Sequence, residues 1–457
     1  MIPAITFVQD VTRPAFNFAK TDLFAKLEKW LILAYLILFS RGIVTLIMTG
    51  GASEGDGGGG NHDYSFLTLL WLLNYLITTC LFVLKWNVIK DRLLAIISNN
   101  YLYWVFLMFI GLSVIWSEKP DETMKAAIGM GGTVMFGSYI VCRYSLKEQF
   151  NLLITFFSVV LVTSFLFMLI PGYGIDFGKH AGAFRGIYSH KNIFGPVMTM
   201  STFTFLIYSK TRFCVNKKLA YLGFAASFMM VVGSRSSSSL VYTSLLIFLV
   251  HAIQVLRLRG QLFAWSLMAL ASLYFFIVTW QETITNTVLS WLGKDPTLTG
   301  RTDIWDVMLE KIQERLWFGY GFDGFWHGIY GESFYVRNAV RWDLPNAHNG
   351  YLDLAIEIGI VGLALLMLAM WIYFVKGLAI LKNDFSWPHV WPIAFIFYTL
   401  MINMSESSLA NQNSFQTIMM TIAFTSVSLE FSQLFRPTAA PPDELSSARS
   451  ELMQRQL

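Results

Sequence analysis

Long apolar runs recur along this chain, separated by short polar breaks. They lie near 29–49, 65–84, 100–116, 122–142, 149–171, 191–209, 219–233, 239–256, 262–280, 350–375, 389–404 and 412–431. A helix needs about 20 apolar residues to cross the hydrocarbon, so the pattern predicts about twelve transmembrane helices, a few of them short or tilted. The expected architecture is all-α, a polytopic membrane helix bundle with one large, partly helical loop. Its divisions are an N-terminal tail at 1–28, spans 1–9 over 29–280, the large loop at 281–349, spans 10–12 over 350–431, and a C-terminal tail at 432–457.

Basic residues sort the connections into two sets. Lys85, Lys90 and Arg92 fall in one connection, Arg143 and Lys147 in another, and Lys210, Arg212, Lys217 and Lys218 in a third. Arg257 and Arg259, then Lys376 and Lys382, continue the alternation, and both tails share it. The intervening short loops are nearly free of Lys and Arg. Positive charge is retained on the cytoplasmic side, which predicts cytoplasmic termini and a periplasmic 281–349 loop. No A-x-A cleavage site follows the first apolar run, so a removable signal peptide is not expected.

The loops differ in character. Residues 50–63 are glycine-rich without Lys or Arg and read as a flexible connector. The 281–349 loop is amphipathic. Ile304, Trp305, Met308, Leu309 and Ile312 recur at helical spacing within 302–316. Thr302 is a candidate cap, Asp303 and Asp306 suit the first turn, Lys311 and Arg315 the last, and Gly319 follows. The aromatic and glycine-rich stretch WFGYGFDGFWHGIYG after it reads as an ordered wall or lid.

Composition agrees with the membrane reading. The chain is 55% hydrophobic and only 14% charged, against roughly a quarter charged in soluble domains. The net charge of +4 is small, and no basic patch with interleaved aromatics suggests nucleic acid. Cys80, Cys142 and Cys214 have no zinc or disulfide spacing. No metal or cofactor motif is found, so none is expected.

Charge placed where it is costly marks candidate chemistry. Arg235 lies between two apolar runs in VVGSRSSSSLVY. Its fork of donors suits a phosphate, while small-residue packing with a snorkelling arginine is the plainer alternative. Arg185, His190 and Lys191 cluster in AGAFRGIYSHKNIFG, either for an anionic ligand or as interfacial anchors. Arg301 opens the amphipathic helix, where an N-terminus already favours anions; a solvated surface arginine is the alternative. His348 stands in PNAHNGYLDLAIEIGIVG, and Pro345 and Asn346 place it in the first turn of the tenth span. Histidine titrates near neutrality and suits a general base, although a lone histidine is more often structural. Asp353 and Glu357 follow at i, i+4 spacing, and Glu357 calls for a partner inside the fold.

Six stretches carry a family resemblance: IWSEKP at 115–120, GIYSHKNIFG at 186–195, GSRSSSSL at 233–240, GRTDIW at 300–305, WFGYGFDGFW at 317–326 and NAHNGYLDLAIEIGIVGL at 346–363. In this order the chain resembles the O-antigen ligase and Wzy-type polymerase superfamily, most closely its ExoQ-type exopolysaccharide branch. The resemblance implies a GT-C-like, metal-independent, inverting glycosyltransferase of the bacterial inner membrane. Its donor would be a glycan on undecaprenyl diphosphate at the periplasmic face. By similarity, Arg235 and Arg301 would bind the diphosphate, with Arg185 and Lys191 as further candidates, and His348 would activate the acceptor hydroxyl. Chain-length regulators and export proteins would be its partners. A ligase acting on lipid A core or a protein is the alternative acceptor reading. A secondary transporter is the rival from another class, but no half-length repeat supports it.

Overall fold

The computed structural model describes residues 16–51, 65–177, 180–256, 301–327, 331–341 and 344–435. The expected ninth span at 262–280, most of the glycine-rich loop, the segment 281–300 and the two chain ends lie outside the described residues. Among those described, the backbone is helical, and pairing between extended segments is limited to an isolated bridge from Ile175 to Phe184. Five helices are long and apolar enough to cross a membrane singly, and a bent pair makes a sixth candidate. The chain is a multi-pass membrane protein of all-α architecture.

The chain divides into two compact units. The first holds α1 (Phe16–Phe39), α2 (Ile43–Met48), α7 (Leu146–Met168, save its first residue), α8 (Lys191–Lys210) and α9 (Lys217–Gly233). It also contains the starts of α3 (Ser65–Leu84) and α10 (Ser237–Leu256). The first apolar run is therefore not one continuous helix. It breaks at Ser40–Gly42, where Arg41 takes a left-handed φ of 53°. In α8 small and hydroxylated residues face its neighbours: Thr199 Oγ1 lies 2.8 Å from Thr243 Oγ1, and Ser201 Oγ 2.7 Å from Ser227 Oγ. Such residues let helix backbones approach closely where lipid offers no hydrophobic gain.

The second unit holds α4 (Trp86–Asn99), α5 (Tyr101–Leu112), α6 (Pro120–Arg143), α11 (Arg301–Glu314), α12 (Ser333–Val340), α13 (Gly350–Asn383), α14 (Trp387–Ile402) and α15 (Phe415–Leu434), whose first two residues fall in the first unit. Helices α4 and α5 meet at a bend of 81°. The Lys376 ammonium donates to the Asn99 carbonyl at 2.7 Å, and the Asn100 side chain donates to Ile96 O at 2.8 Å, so the bend leaves these acceptors satisfied.

Helix α13 is broken at Ile358–Gly359, with Gly359 at φ 68° and ψ −179°. A broken span needs partners for the freed backbone groups. The WFGYG stretch supplies them. Tyr320 N and Gly321 N donate to Ile356 O and Glu357 O at 2.9 and 2.8 Å, while Ile360 N and Val361 N donate to Leu316 O and Trp317 O at 2.8 and 3.4 Å. Two glycines make the approach possible. A Cβ on Gly319 would stand 2.5 Å from Glu357 O, and one on Gly359 2.1 Å from Trp317 O. The IWSEKP stretch closes the other side: Trp116 Nε1 donates to Phe318 O at 2.8 Å, Glu118 N to Tyr320 O at 3.0 Å, and Arg315 pairs with Glu118.

The amphipathic helix of the large loop is present as α11. Its Ile304, Met308 and Ile312 are buried in a cluster with Tyr320, Phe325, Val336, Leu344 and Ala347, joined by Ala355 and Ile356 of α13. Leu309, expected on that face, is instead exposed. The expected cap Thr302 lies inside the helix, which already begins at Arg301. The Lys311 ammonium binds Glu314 at 2.6 Å and Glu332 at 2.8 Å, and Tyr320 Oη donates to Glu314 at 2.9 Å. This charge network ties α11 to the start of α12 and to the GYG turn.

Candidate functional site

The candidate residues fall in both units. Arg185, Lys191 and Arg235 belong to the first, Arg301 and His348 to the second.

In the first unit, α9 ends at Gly233 and the chain turns through Ser234 and Arg235 into α10. Arg235 takes a left-handed φ of 50° and its side chain is exposed. Its Nη1 donates to Ala181 O at 2.9 Å, and its guanidinium lies against Gly182. The neighbouring serines do something different. Ser234, Ser236 and Ser239 are buried, and a Cβ on Gly195 of α8 would stand 2.5 Å from the Ser239 hydroxyl. The serines pack, whereas the arginine is displayed. The Lys191 ammonium, half-buried at the start of α8, stands within electrostatic range of both Arg235 and Asp176. His190 caps the same helix, with Nδ1 accepting from Asn192 N at 3.2 Å, and its ring meets that of His180 with centroids 5.5 Å apart.

Arg185 stands apart from this arrangement. It is 3% exposed, and it donates to Ser189 O at 3.2 Å, to Gly172 O at 2.9 Å and to Gly51 O. A guanidinium bound to three carbonyls in the interior staples loops together. Its two Nη groups are turned to the backbone, which supports a structural role for it over the expected phosphate contact.

In the second unit, α13 is capped by Asn349, whose Oδ1 accepts from Tyr351 N at 3.0 Å and Leu352 N at 3.3 Å. His348 therefore precedes the helix rather than lying in its first turn. It is half-buried and left-handed, with φ 50°. Such a backbone is sparsely populated for a residue with a Cβ and needs a surrounding structure to hold it. That structure is visible. Ala347 N donates to both oxygens of Asp353 at 3.1 Å, His348 N to Asn346 Oδ1 at 3.0 Å, Asn349 N to Ser407 Oγ at 3.1 Å, and Gly350 N to Asn403 O at 2.8 Å. Trp305 Nε1 donates to Ala347 O at 3.0 Å, which fastens α11 to the histidine turn. Arg301 occupies the α11 position one turn before Trp305, so the two lie on one helical face. Glu357 accepts from the Asp323 backbone amide, but the carboxylates of Asp323 and Asp353 also stand within electrostatic range of it. Asp323 itself is left-handed at φ 53°, and it accepts from Gln412 Nε2 at 3.0 Å.

The geometry offers two kinds of chemistry. Exposed or half-exposed cations at a helix–helix turn suit a polyanion, and an imidazole held at the mouth of a span suits proton transfer. Asp353, Trp326 and Ser407 complete the support of that imidazole; the sequence marked Asp353 only by its spacing.

Residues 222–367 match a family described as O-antigen ligase. The matched segment contains Arg235, Arg301 and His348 but not Arg185 or Lys191. The chain is also 24% identical over 296 residues to the exopolysaccharide production protein ExoQ of Rhizobium meliloti (strain 1021). That alignment covers 59% of this chain and 64% of that protein, so the chain spans a little under two thirds of this relative's length. The chain is thus similar to the O-antigen ligase family over residues 222–367 and to ExoQ over part of its length.

Proposed function

We propose that the protein is a membrane glycosyltransferase that polymerises oligosaccharide repeat units carried on undecaprenyl diphosphate into exopolysaccharide. The site would face the periplasm of a bacterial inner membrane, with both termini cytoplasmic. The observation that carries the reading is the fastening of the GRTDIW helix to the AHN turn through Trp305 and Ala347. It brings the start of a helix led by an arginine to the histidine turn, within one unit. A helix start, which favours anions, beside a titratable imidazole suits transfer from a lipid diphosphate.

In this reading His348 takes the proton of the acceptor hydroxyl as its oxygen attacks the anomeric carbon. The bond from that carbon to the diphosphate oxygen breaks on the opposite face, which inverts the centre. Arg301 neutralises the departing diphosphate, a role that the family resemblance also assigns to Arg235, with Lys191 as a further candidate, and cations need no metal to do so. Arg185 holds the loop that presents Lys191. The matching ExoQ protein, whose name concerns exopolysaccharide production, favours polymerase over ligase. Chain-length and export proteins would then act on the product.

The test supplies purified protein in proteoliposomes with lipid-linked repeat units extracted from cells lacking this chain. A polymerase yields a ladder of lengthening lipid-linked glycans. A single transfer to added lipid A core, without a ladder, would assign the ligase activity instead.

A further inference from the structure

His348 has an unfavourable backbone conformation, and the groups that hold it converge on one buried carboxylate. Asp353 is 8% exposed and sits one turn into α13. Both of its oxygens accept from Ala347 N at 3.1 Å. Oδ1 also accepts from Trp326 Nε1 at 2.8 Å, and the Ser407 hydroxyl donates to the same carboxylate. Ser407 Oγ in turn accepts from Asn349 N at 3.1 Å. The amides on either side of His348, those of Ala347 and Asn349, are thus both tied to this network, one directly and one through Ser407. Trp305 holds the Ala347 carbonyl from the other direction.

We infer that Asp353 is a positioning residue for His348, fixing through Ala347 and Ser407 the left-handed turn that presents the imidazole. This inference rests on the proposed base role of His348 and deepens it. The groups that hydrogen-bond to its oxygens, Ala347 N, Trp326 Nε1 and the Ser407 hydroxyl, are all donors, which a carboxylate suits even with Glu357 one turn away. An ionised Asp accepts only, at about four lone-pair sites, whereas an Asn would turn an NH₂ toward other N–H groups. A turn released from that hold relaxes toward ordinary backbone angles and swings the imidazole. A displacement of about 1 Å at a reacting group costs on the order of 100-fold in rate. Trp326 of the aromatic stretch binds the same carboxylate and Trp305 of α11 binds the Ala347 carbonyl, so three of the chain's motifs meet at this turn.

The experiment is a double-variant cycle in proteoliposomes with extracted lipid-linked repeat units, every rate normalised to folded protein. Asp353→Asn is isosteric and should lower kcat by roughly 10- to 100-fold while the donor KM stays within about twofold, because the arginines are untouched. Combined with His348→Ala, it should cost nothing further, since its effect runs through the histidine. Ser407→Ala, a small change in a loop, should show a weaker kcat loss with the same non-additivity, and it carries the test if Asp353→Asn folds poorly. A wild-type kcat from both variants, or a multiplicative loss in combination with His348→Ala, overturns the inference while leaving the base role intact. Wild-type turnover from His348→Ala alone overturns the base role and this inference together.

Discussion

Replacing Gly359 by alanine should release the WFGYG stretch from the broken span. The wild-type backbone there has φ 68° and ψ −179°, a region open to glycine and strained for other residues. Holding alanine in such a region costs on the order of 1–3 kcal/mol. The added Cβ would also stand 2.1 Å from the Trp317 carbonyl oxygen. Relieving that contact means pushing Trp317 away, at the expense of the Ile360–Leu316 and Val361–Trp317 hydrogen bonds. Each is worth about 1 kcal/mol net, and more where a group is left dry. The combined penalty is roughly 3–5 kcal/mol, concentrated on one strap. Limited proteolysis in nanodiscs should show new cleavage around 316–322, and the thermal midpoint should fall. Gly131→Ala is the control: it lies within α6, a Cβ there meets nothing within 4 Å, and alanine is the better helix former. If Gly359→Ala melts and resists protease as Gly131→Ala does, the zipped break is not what holds this strap.

Other consequences follow from the charges. Lys311 and Tyr320 hold Glu314 below its ordinary value of 4.5, while burial and Glu314 push Tyr320 up to about 12. A depressed carboxylate adds stability that is present above 4.5 and lost as pH falls through its folded value. The α11–α12 segment should therefore become protease-sensitive on acidification below about pH 4.5, and Lys311→Met should make it sensitive already at neutral pH and flatten that dependence. Arg185→Ala should reduce folded yield, whereas Arg235→Ala should leave yield intact and weaken donor use, with Arg235→Lys rescuing only in part because the planar fork is lost. Activity should persist in excess EDTA; abolition reversed by magnesium or manganese would mean that the arginines are not the groups that neutralise the diphosphate.

The sequence carried the all-α membrane class well, because hydrocarbon imposes a length and an apolarity that local composition reveals; of the expected twelve spans, five single helices and one bent pair are long and apolar enough to cross among the described residues. The helix at 301–314 was equally legible, since its apolar spacing had to meet a partner. What it concealed were features set by distant contacts. Nothing local announces that Arg185 binds the carbonyl of Gly51, far earlier in the chain, so a buried loop staple and a phosphate ligand look alike. The break at Gly359 reads as an ordinary GIVG stretch until its partner WFGYG is seen. The start of α13 was placed too early because Pro345 and Asn346 are good opening residues, whereas Asn349 is the residue whose side chain caps the helix. That shift of a few residues changes the chemistry. It takes His348 out of the helix and puts it on a strained turn whose support, Asp353 with Trp326 and Ser407, comes from three segments.

The central claim is that His348 transfers a proton during glycosyl transfer. The most direct measurement compares polymer formation by His348→Ala and His348→Gln at matched membrane levels, with donor binding measured separately. The account predicts wild-type donor binding in both and turnover lowered by roughly 10²- to 10⁴-fold in both, because glutamine fills the space and keeps polar contacts but accepts no proton at neutral pH. Near-normal polymer from His348→Gln would contradict it.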